Sequence, residues 1–277
     1  MPTVVSNQLI DAAEALAALA RRHCQRRALV LAGDRDWGRR AACTVLERLA
    51  PGAVHWFSDA APAGASASQG SAALALLGCE LDALVFDAWS GFDPDAFGAL
   101  TGTLRGGGLL LLLTPPLQRW PQFPDPQNRR IAVAPYSAEQ VSGRFLQRLV
   151  RVLESDPDVL RCEEGRPVRV PVDAVPPTTQ CREPVAAPCR TADQQRAVDG
   201  VVRVVTGHRR RPVVLTSDRG RGKSAAFGIA AAQLIQAGRE HILVTGPRMR
   251  ATQAVLEHAR SLLPKERHGS IAFRPPD

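Results

Sequence analysis

The residues best suited to chemistry in this sequence form a short glycine-rich loop that ends in Gly-Lys-Ser. This loop, Ser217–Ser224, reads SDRGRGKS and follows the apolar run Pro212–Thr216. It matches the pattern G-x-x-x-x-G-K-[ST], except that Ser217 stands where the first glycine is expected. Lys223 is one of only two lysines in the chain. The pattern predicts a phosphate-binding loop, and we call Ser217–Ser224 the phosphate loop.

Each residue type in the phosphate loop has a physical reason to be there. Gly220 and Gly222 permit the backbone dihedrals that turn successive N–H groups toward phosphate oxygens. A helix that begins near Lys223 points the positive end of its dipole at the same anion. The lysine ammonium would then bind the β- and γ-phosphates, and the Ser224 hydroxyl would bind Mg²⁺. The plain alternative is a glycine-rich turn before an alanine-rich helix, and the strand before the loop and the scarcity of lysine disfavour it.

A second candidate for nucleotide binding lies upstream, in the segment Thr191–Gln194, which reads TADQ. One interpretation is a capping box, in which Thr191 is the N-cap of a helix and Gln194 is its N3 residue. The other is a helicase-type glutamine whose amide, both donor and acceptor, recognises the edge of adenine. The two roles are compatible, and Gln194 is preferred to Gln195 for the second.

Other segments have two interpretations each. Thr245–Arg248 follows an apolar run and is either a nucleic-acid-binding loop or a plain turn with solvated arginines. Gly33–Gly38 lacks a following Lys-Ser and is interpreted as a turn. Asp87–Asp93 follows a predicted strand at the carboxyl end, where open α/β sheets bind ligands. The preferred interpretation there is that Asp93 caps a helix.

Short apolar runs alternate with amphipathic segments over residues 1–170, which predicts an N-terminal α/β domain with a parallel sheet. The predicted strands are Ala28–Ala32, Val54–Phe57, Leu81–Asp87 and Leu109–Thr114. The predicted helices are Leu9–Ala20, Arg39–Leu49, Pro94–Leu104 and Ala138–Glu154, the last with Val141, Phe145, Leu149 and Val152 on its buried face. We expect Gly106–Gly108 to form a turn, and Ala60–Gly70 to form a loop of small residues.

Residues 171–190 contain five prolines and are predicted to be an interdomain linker. The P-loop module is predicted to follow, over residues 191–277. Its expected helices are Thr191–Thr206, Lys223–Ala237 and Met249–Leu263. Its expected strands are Pro212–Thr216, His241–Thr245 and Ile271–Phe273.

Composition places the chain among soluble globular proteins, with 45% hydrophobic and 22% charged residues over 277 positions. The net charge of +8 suits a polyanionic partner, although an arginine-rich composition follows equally from a GC-rich genome. The cysteines show no CxxC spacing, so no zinc site is expected. Without a signal peptide the expected location is the cytoplasm. Apolar runs such as Leu109–Leu113 are too short to span a bilayer, so we expect no membrane association.

Three segments together resemble the bacterial tRNA(Met) cytidine acetyltransferase family of the TmcA type. They are TSDRGRGKS at Thr216–Ser224, TADQQRAV from Thr191, and FDAWSGFDPDAFGALTGTLRGGG in the first domain. That family has an N-terminal α/β domain, a RecA-like helicase ATPase module, a GNAT acetyltransferase domain and a C-terminal tRNA-binding region. The resemblance covers essentially the whole chain but only the first part of this architecture. It therefore implies an N-terminal parallel-sheet α/β domain followed by an incomplete RecA-like P-loop ATPase module.

The resemblance implies N4-acetylation of the wobble cytidine of elongator tRNA(Met), with acetyl-CoA as donor and ATP hydrolysis as driving force. ATP would be bound by Gln194, Thr216, Ser217, Asp218, Arg219, Gly220, Arg221, Gly222, Lys223, Ser224 and Ala225, and Mg²⁺ by Ser224 through the nucleotide. No catalytic residue is expected in this chain, because the family's Walker B acids and acetyl-CoA site have no counterpart in it. Acetyl transfer by the chain alone is not expected, and a separate chain carrying the GNAT domain is one candidate partner.

Two alternatives remain open at the level of sequence. The first is a stand-alone ATP-responsive RNA-binding module, which predicts tRNA binding with a salt-dependent affinity. The second is an unrelated helicase-like P-loop ATPase, which predicts nucleotide binding without any preference for tRNA(Met).

Overall fold

The computed structural model describes residues 6–168, 187–208, 211–217, 222–239, 241–246 and 249–270. The chain divides into two compact units, Met1–Pro176 and Pro177–Asp277. The division falls inside the proline-rich segment 171–190, of which only 187–190 belong to the described residues. Across the described ranges, no helix is long and apolar enough to cross a membrane.

The first unit is built on a parallel sheet of six strands. They are β1 (Arg27–Ala32), β2 (Val54–Phe57), β3 (Ala67–Ser68), β4 (Leu81–Asp87), β5 (Leu104–Thr114) and β6 (Val159–Glu163). Their order across the sheet is β3-β2-β4-β5-β1-β6. The apolar runs correctly predict β1, β2, β4 and the second half of β5. The two edge strands, β3 and β6, were not predicted, because neither contains a continuous apolar run.

The glycine triplet Gly106–Gly108 lies inside β5, so the turn predicted at this position is wrong. A Cβ atom on Gly106 would lie 2.7 Å from the carbonyl oxygen of Cys24, and one on Gly108 would lie 2.9 Å from that of Asp82. No side chain fits at either distance. The triplet therefore lets β5 pass close to the neighbouring backbone at an irregularity of the sheet, since Leu104 pairs with Leu81 and the pairing with β4 resumes only between Leu109 and Ala83.

Helices cover both faces of this sheet, as a parallel sheet requires. They are α1 (Asn7–His23), α2 (Arg35–Leu49), α3 (Pro94–Thr101), α4 (Asn128–Ile131) and α5 (Arg144–Ser155). Successive residues of a strand point to opposite faces. Leu111 accordingly packs in the core formed with α1 and α2, and Leu112 packs in the core formed with α3 and α5.

Helix α2 begins four residues before the predicted start at Arg39. The Asp34 carboxylate caps it by accepting hydrogen bonds from the backbone N–H groups of Asp36 and Trp37, at 3.0 and 3.2 Å. The turn predicted at Gly33–Gly38 is therefore confirmed only as far as Asp34.

The segment around α5 also differs from the prediction. It forms a 3₁₀ turn, Ala138–Gln140, and then α5 as a separate helix. A Cβ atom on Gly143 would lie 1.8 Å from the carbonyl oxygen of Pro121, so this contact fixes the chain just before α5. The predicted buried face is wrong by one residue. The buried side chains are Leu146, Val150 and Leu153, whereas Phe145 and Val152 are 52% and 51% exposed, and Val141 and Leu149 are only partly buried.

The described part of the second unit is helical. Its helices are α6 (Ala192–Thr206), α7 (Lys223–Gln236) and α8 (Met249–Leu262), followed by a 3₁₀ turn at Lys265–Ser270. All three helices were predicted to within two residues. Helix α7 lies between its neighbours: Ala226, Ile229 and Ala230 pack against Val198 of α6, and Ala231 and Ala232 pack against Ala259 of α8.

The strands predicted in the second unit do not form a ladder within the described residues. Segments 211–217 and 241–246 have no regular secondary structure, and Val214 and Leu243 are 79% and 90% exposed. Parallel strands need hydrogen-bonded neighbours and a covering layer on each face, and the described part of this unit supplies neither to them. The strand predicted at Ile271–Phe273 lies outside the described residues.

The crossing of α7 and α8 gives a direct test of this packing. A Cβ atom on Gly228 would lie 2.6 Å from the His258 Cβ and 2.7 Å from the Val255 carbonyl oxygen. We expect Gly228→Ala to destabilise the unit by about 1–3 kcal/mol, because the two helices must separate. The control is Gly200→Ala in α6, where the new Cβ atom meets Val213 at an ordinary 3.9 Å.

The control should be neutral or stabilising by about 0.5–1 kcal/mol, as expected when alanine replaces glycine in a helix. Urea unfolding followed by circular dichroism at 222 nm measures both variants. Equal behaviour of the two would contradict the close crossing of α7 and α8.

Candidate nucleotide-binding site

The N-terminus of α7 carries the described part of the phosphate loop. Gly222 precedes the helix with φ of +82°, in the left-handed region that favours glycine, and Lys223 is the first helical residue. The helix has no side-chain cap among the described residues. The first-turn N–H groups of a helix have no intrahelical partner, and the positive end of the helix dipole at this position favours an anion. The predicted site residues Asp218, Arg219, Gly220 and Arg221 lie outside the described residues.

The Lys223 ammonium reaches back to the first residue of the loop. Its Nζ donates to the backbone oxygen of Ser217 at 2.5 Å and to the Ser217 Oγ at 3.0 Å. The serine that replaces the expected glycine thus supplies a hydroxyl acceptor for the lysine. The Lys223 ammonium thus connects the end of the phosphate loop to its first residue, Ser217. Thr216 is exposed beside them, and Ser224 and Ala225 are half-buried in the first turn of α7.

Gln194 has the helix-capping role that the sequence predicts, with one difference. The Gln194 N–H donates to the Oγ1 of Thr191 at 3.1 Å, which confirms Thr191 as the N-cap of α6. The Gln194 Oε1, however, accepts from the N–H of Arg190 at 2.8 Å rather than from that of Thr191. The amide carbonyl is therefore engaged at the start of α6.

The amide nitrogen of the same side chain lies at the phosphate loop. A Cβ atom on Gly222 would be 3.3 Å from the Gln194 Nε2, so Gln194 and the end of the loop are in contact. A Cβ atom at position 222 would require the Gln194 side chain to shift by a few tenths of an ångström. Gln195 points elsewhere, since its amide donates to the Asp199 carboxylate at 2.9 Å. The structure thus brings Gln194, Gly222 and Lys223 together, and it does not bring Gln195 to them.

The segment predicted as a possible nucleic-acid loop is described only in part. Thr245 and Gly246 are exposed and without regular secondary structure, while Pro247 and Arg248 lie outside the described residues. Its role therefore stays a prediction.

The carboxyl edge of the first unit's sheet holds a polar network around Asp87, which is fully buried at the end of β4. Its Oδ2 accepts from the Arg39 Nη2 at 2.7 Å and from the Ser58 Oγ at 2.7 Å. The backbone N–H of Trp89 donates to its Oδ1 at 3.1 Å. This carboxylate is engaged by protein groups on both oxygens, so the network stabilises the sheet edge and does not indicate a ligand at Asp87.

Asp59 extends the network to the surface. The Arg35 Nη2 donates to both carboxylate oxygens of Asp59 at 2.6 and 2.8 Å, and Arg39 donates to one of them at 2.8 Å. Partial burial pushes the pKa of Asp59 upward, but the hydrogen bonds from Ser90 and Arg35 and the charges of Arg35 and Arg39 outweigh it and lower the pKa. Sequence reasoning missed this cluster. The available signal was the i, i+4 spacing of Arg35 and Arg39 after β1, together with Asp59 after β2 and Asp87 at the end of β4.

Asp93 is a helix cap, as preferred from the sequence. Its Oδ1 accepts from the N–H groups of Asp95 and Ala96 at 2.9 and 3.2 Å, at the start of α3. Arg130 adds an ion pair with the same oxygen at 3.2 Å. Helix α3 ends at Thr101, because Leu104 already belongs to β5.

The fold and the site together define the class of this protein. The chain joins a parallel α/β domain to a helical unit, and one helix of that unit begins at the Gly-Lys of the SDRGRGKS phosphate loop. Family models give the same division. Residues 1–164 match the N-terminal domain of the tRNA(Met) cytidine acetyltransferase TmcA, and residues 214–272 match the helicase domain of the RNA cytidine acetyltransferase NAT10/TcmA.

The chain belongs to the tRNA(Met) cytidine acetyltransferase TmcA family. It is 50% identical to the tRNA(Met) cytidine acetyltransferase TmcA of Nitrosococcus halophilus, over 100% of this chain and 37% of the relative. It is 38% identical to the protein of the same name from Haloarcula marismortui, over 92% of this chain and 34% of the relative. The Haloferax volcanii protein of that name is 36% identical, over 90% of this chain and 36% of the relative. The chain thus spans about a third of the length of these relatives.

The buried ion pair between Arg39 and Asp87 predicts a large effect on stability. Arg39→Gln leaves a fully buried carboxylate without its cation, and we expect a loss of about 3 kcal/mol, toward the lower end for a broken buried pair because the hydrogen bonds from Ser58 and Trp89 remain. The matched control on the same helix is Arg48→Gln, which breaks an exposed pair with Glu14 and should cost about 0–1 kcal/mol.

Urea unfolding followed by tryptophan fluorescence reports on this unit, because all four tryptophans lie within residues 1–176. An effect of Arg39→Gln no greater than that of Arg48→Gln would show that Asp87 does not depend on the arginine.

Proposed function

We propose that this chain binds the triphosphate of ATP at the phosphate loop. The observation that supports this most is the contact of Lys223 with Ser217 at the start of α7, with Gly222 in the left-handed conformation before it. A compact ammonium, a helix N-terminus and a glycine in the left-handed conformation are together the features of an anion site. ATP phosphates would replace the Ser217 oxygens as partners of the ammonium.

The remaining proposed ATP contacts follow from position in the loop. We assign triphosphate binding to Thr216, Ser217, Asp218, Arg219, Gly220, Arg221, Gly222, Lys223, Ser224 and Ala225. The Ser224 hydroxyl, at the second position of α7, would bind Mg²⁺ together with the β- and γ-phosphates. The metal would neutralise charge on the nucleotide when bound.

We further propose that Gln194 recognises adenine. Its amide nitrogen lies beside Gly222, within the same unit as the phosphate loop. A carboxamide offers both the donor and the acceptor that the N7 and N6 positions of adenine require. Capping of α6 through the carbonyl oxygen fixes the side chain in advance, which limits the entropy lost on binding.

At the level of the whole enzyme, we propose that the chain supplies the N-terminal domain and the ATP-binding module of an enzyme that acetylates the wobble cytidine of tRNA(Met). Membership of the family and the matching names of the relatives support this. Acetyl-CoA would be the donor, and we assign none of the residues of this chain to it. The acetyl-transfer step belongs to a GNAT domain, on a separate chain or elsewhere in the same protein.

The role of Lys223 is tested by titrating a fluorescent ATP analogue into the wild-type chain and two variants. Lys223→Ala removes a charged contact to phosphate and should weaken binding by about 1.5–3 kcal/mol, or roughly 10- to 150-fold in Kd. Lys265→Ala removes the chain's other lysine, which is exposed in the 3₁₀ turn after α8, and should leave Kd unchanged. Equal affinities for all three proteins would remove the loop from the proposed function.

The role of Gln194 is tested with a variant that keeps the helix cap. Gln194→Glu retains an acceptor for the N–H of Arg190 but loses the amide donor, so α6 should remain stable while adenine recognition weakens. We expect the Kd for the ATP analogue to rise by about 3- to 10-fold, the value of one hydrogen bond. The Kd for the matching GTP analogue, titrated in parallel, should not rise. A proportional change for both nucleotides would contradict recognition of the base.

A further inference from the structure

Helix α5 presents a row of arginines to solvent on the first unit. Arg144, Arg148 and Arg151 are all exposed and are spaced at i, i+4 and i+7, which places them on one face of the helix. The opposite face, with Leu146, Val150 and Leu153, is buried in the core. From the first to the third arginine the helix rises by about 10 Å. The side chains therefore form a short line of positive charge, which we call the arginine row.

The described residues do not neutralise the arginine row. None of its three guanidinium groups forms an ion pair or a hydrogen bond with them. Other arginines of the same unit do pair: Arg27 with Asp158, Arg48 with Glu14, Arg105 with Asp82 and Arg166 with Glu163. Glu154, one turn beyond Arg151 at the edge of this face, makes no ion pair with it among the described residues. Three positive charges close together repel one another, so an anionic partner would relieve a real electrostatic cost.

Apolar groups flank the arginine row where a merely solvated face would be polar. Phe145 is half-exposed, and its ring centroid lies 5.8 Å from that of the buried Phe92. Packing on Phe92 holds the ring in place while part of it stays open to solvent. Val152 is also half-exposed and lines a shallow depression together with Arg148, Arg151 and Ser155. The surface thus combines fixed positive charge, an oriented aromatic ring and a hydroxyl.

This combination fits the backbone of an RNA better than a membrane. Guanidinium groups bind phosphate oxygens bidentately, and an exposed aromatic ring offers a stacking surface to an unpaired base. A helix that binds a lipid surface inserts its apolar face, but the apolar face of α5 is already buried against the sheet. We propose that the arginine row and Phe145 bind the phosphate backbone of an RNA, at a surface separate from the phosphate loop. The choice of tRNA as the probe rests on the proposed function; the surface itself does not.

The test measures binding of in vitro transcribed, fluorescently labelled tRNA(Met) to the full chain by anisotropy over a salt series. Replacing Arg144, Arg148 and Arg151 together by Gln should raise Kd at least about tenfold and reduce the slope of log K against log salt by roughly 2–3, since each lost phosphate contact removes about 0.7–0.9. The matched control replaces Arg21, Arg40 and Arg119 by Gln, which removes the same charge from exposed positions elsewhere on the unit. Its effect on Kd should be less than about threefold.

Two further variants separate the possible outcomes. Replacing the three arginines of the row by Lys keeps the charge and loses the planar fork, so the salt slope should be retained and the affinity only partly lost. The fluorescent ATP analogue is titrated separately into the wild type without tRNA, so failure of the ATP proposal and failure of this one are distinguishable. Circular dichroism confirms that each variant is folded.

The proposal is overturned by absence of tRNA binding in the wild type, or by equal losses in the two Gln triples, which would mean that only net charge matters. It is also overturned if the row variant keeps tRNA affinity. In that case, loss of binding to phosphatidylserine-containing vesicles or to an acidic peptide would assign the row to one of those partners.

Discussion

The proposed function of this chain depends on the start of α7. This helix has no side-chain cap among the described residues, it follows a glycine at φ +82°, and Lys223 adds a full positive charge to its N-terminus. Positive charge at a helix N-terminus favours an anionic acceptor. The oxygens of Ser217 serve as acceptors for the lysine in the chain by itself, and the oxygens of a triphosphate are better ones because they are charged. The packing of α7 between α6 and α8 holds this helix end in place, and α6 carries Gln194 to it.

In the first unit, the charge that must be balanced is that of a buried carboxylate. Asp87 is fully buried, and its charge is balanced by Arg39 and by hydrogen bonds from Ser58 and Trp89, so the edge where ligands often bind in α/β sheets is closed by the protein's own groups. The unit instead exposes three arginines on α5 that form no ion pair with the described residues. We thus propose a site for a small anion in one unit and a surface for a large one in the other, in agreement with a family whose name joins a nucleic acid substrate to a helicase-type module.

Sequence predicts what depends on local pattern and misses what depends on contacts distant in the chain. Neighbouring residues are enough to predict several features: the strands β1, β2 and β4, the helix caps Thr191 and Asp93, and the start of α7. The glycine triplet of β5 was misread as a turn, because the close approach to Cys24 and Asp82 that requires glycine is not visible in the sequence. The start of α5 at Arg144 was missed because the contact of Gly143 with Pro121, more than twenty residues upstream, is not visible in the sequence. For the same reason the Arg35–Arg39–Asp59–Asp87 cluster was missed, whereas the capping of α6 by Thr191 was predicted from neighbouring residues.

The most direct test of the account is a crystal structure of the chain grown with Mg²⁺ and a non-hydrolysable ATP analogue. The account predicts electron density for the triphosphate at the start of α7, with an oxygen of the β- or γ-phosphate within hydrogen-bond distance of the Lys223 Nζ, and with the adenine edge at the Gln194 amide. Nucleotide bound elsewhere on the chain, or a Lys223 that remains on Ser217 beside bound nucleotide, would contradict it.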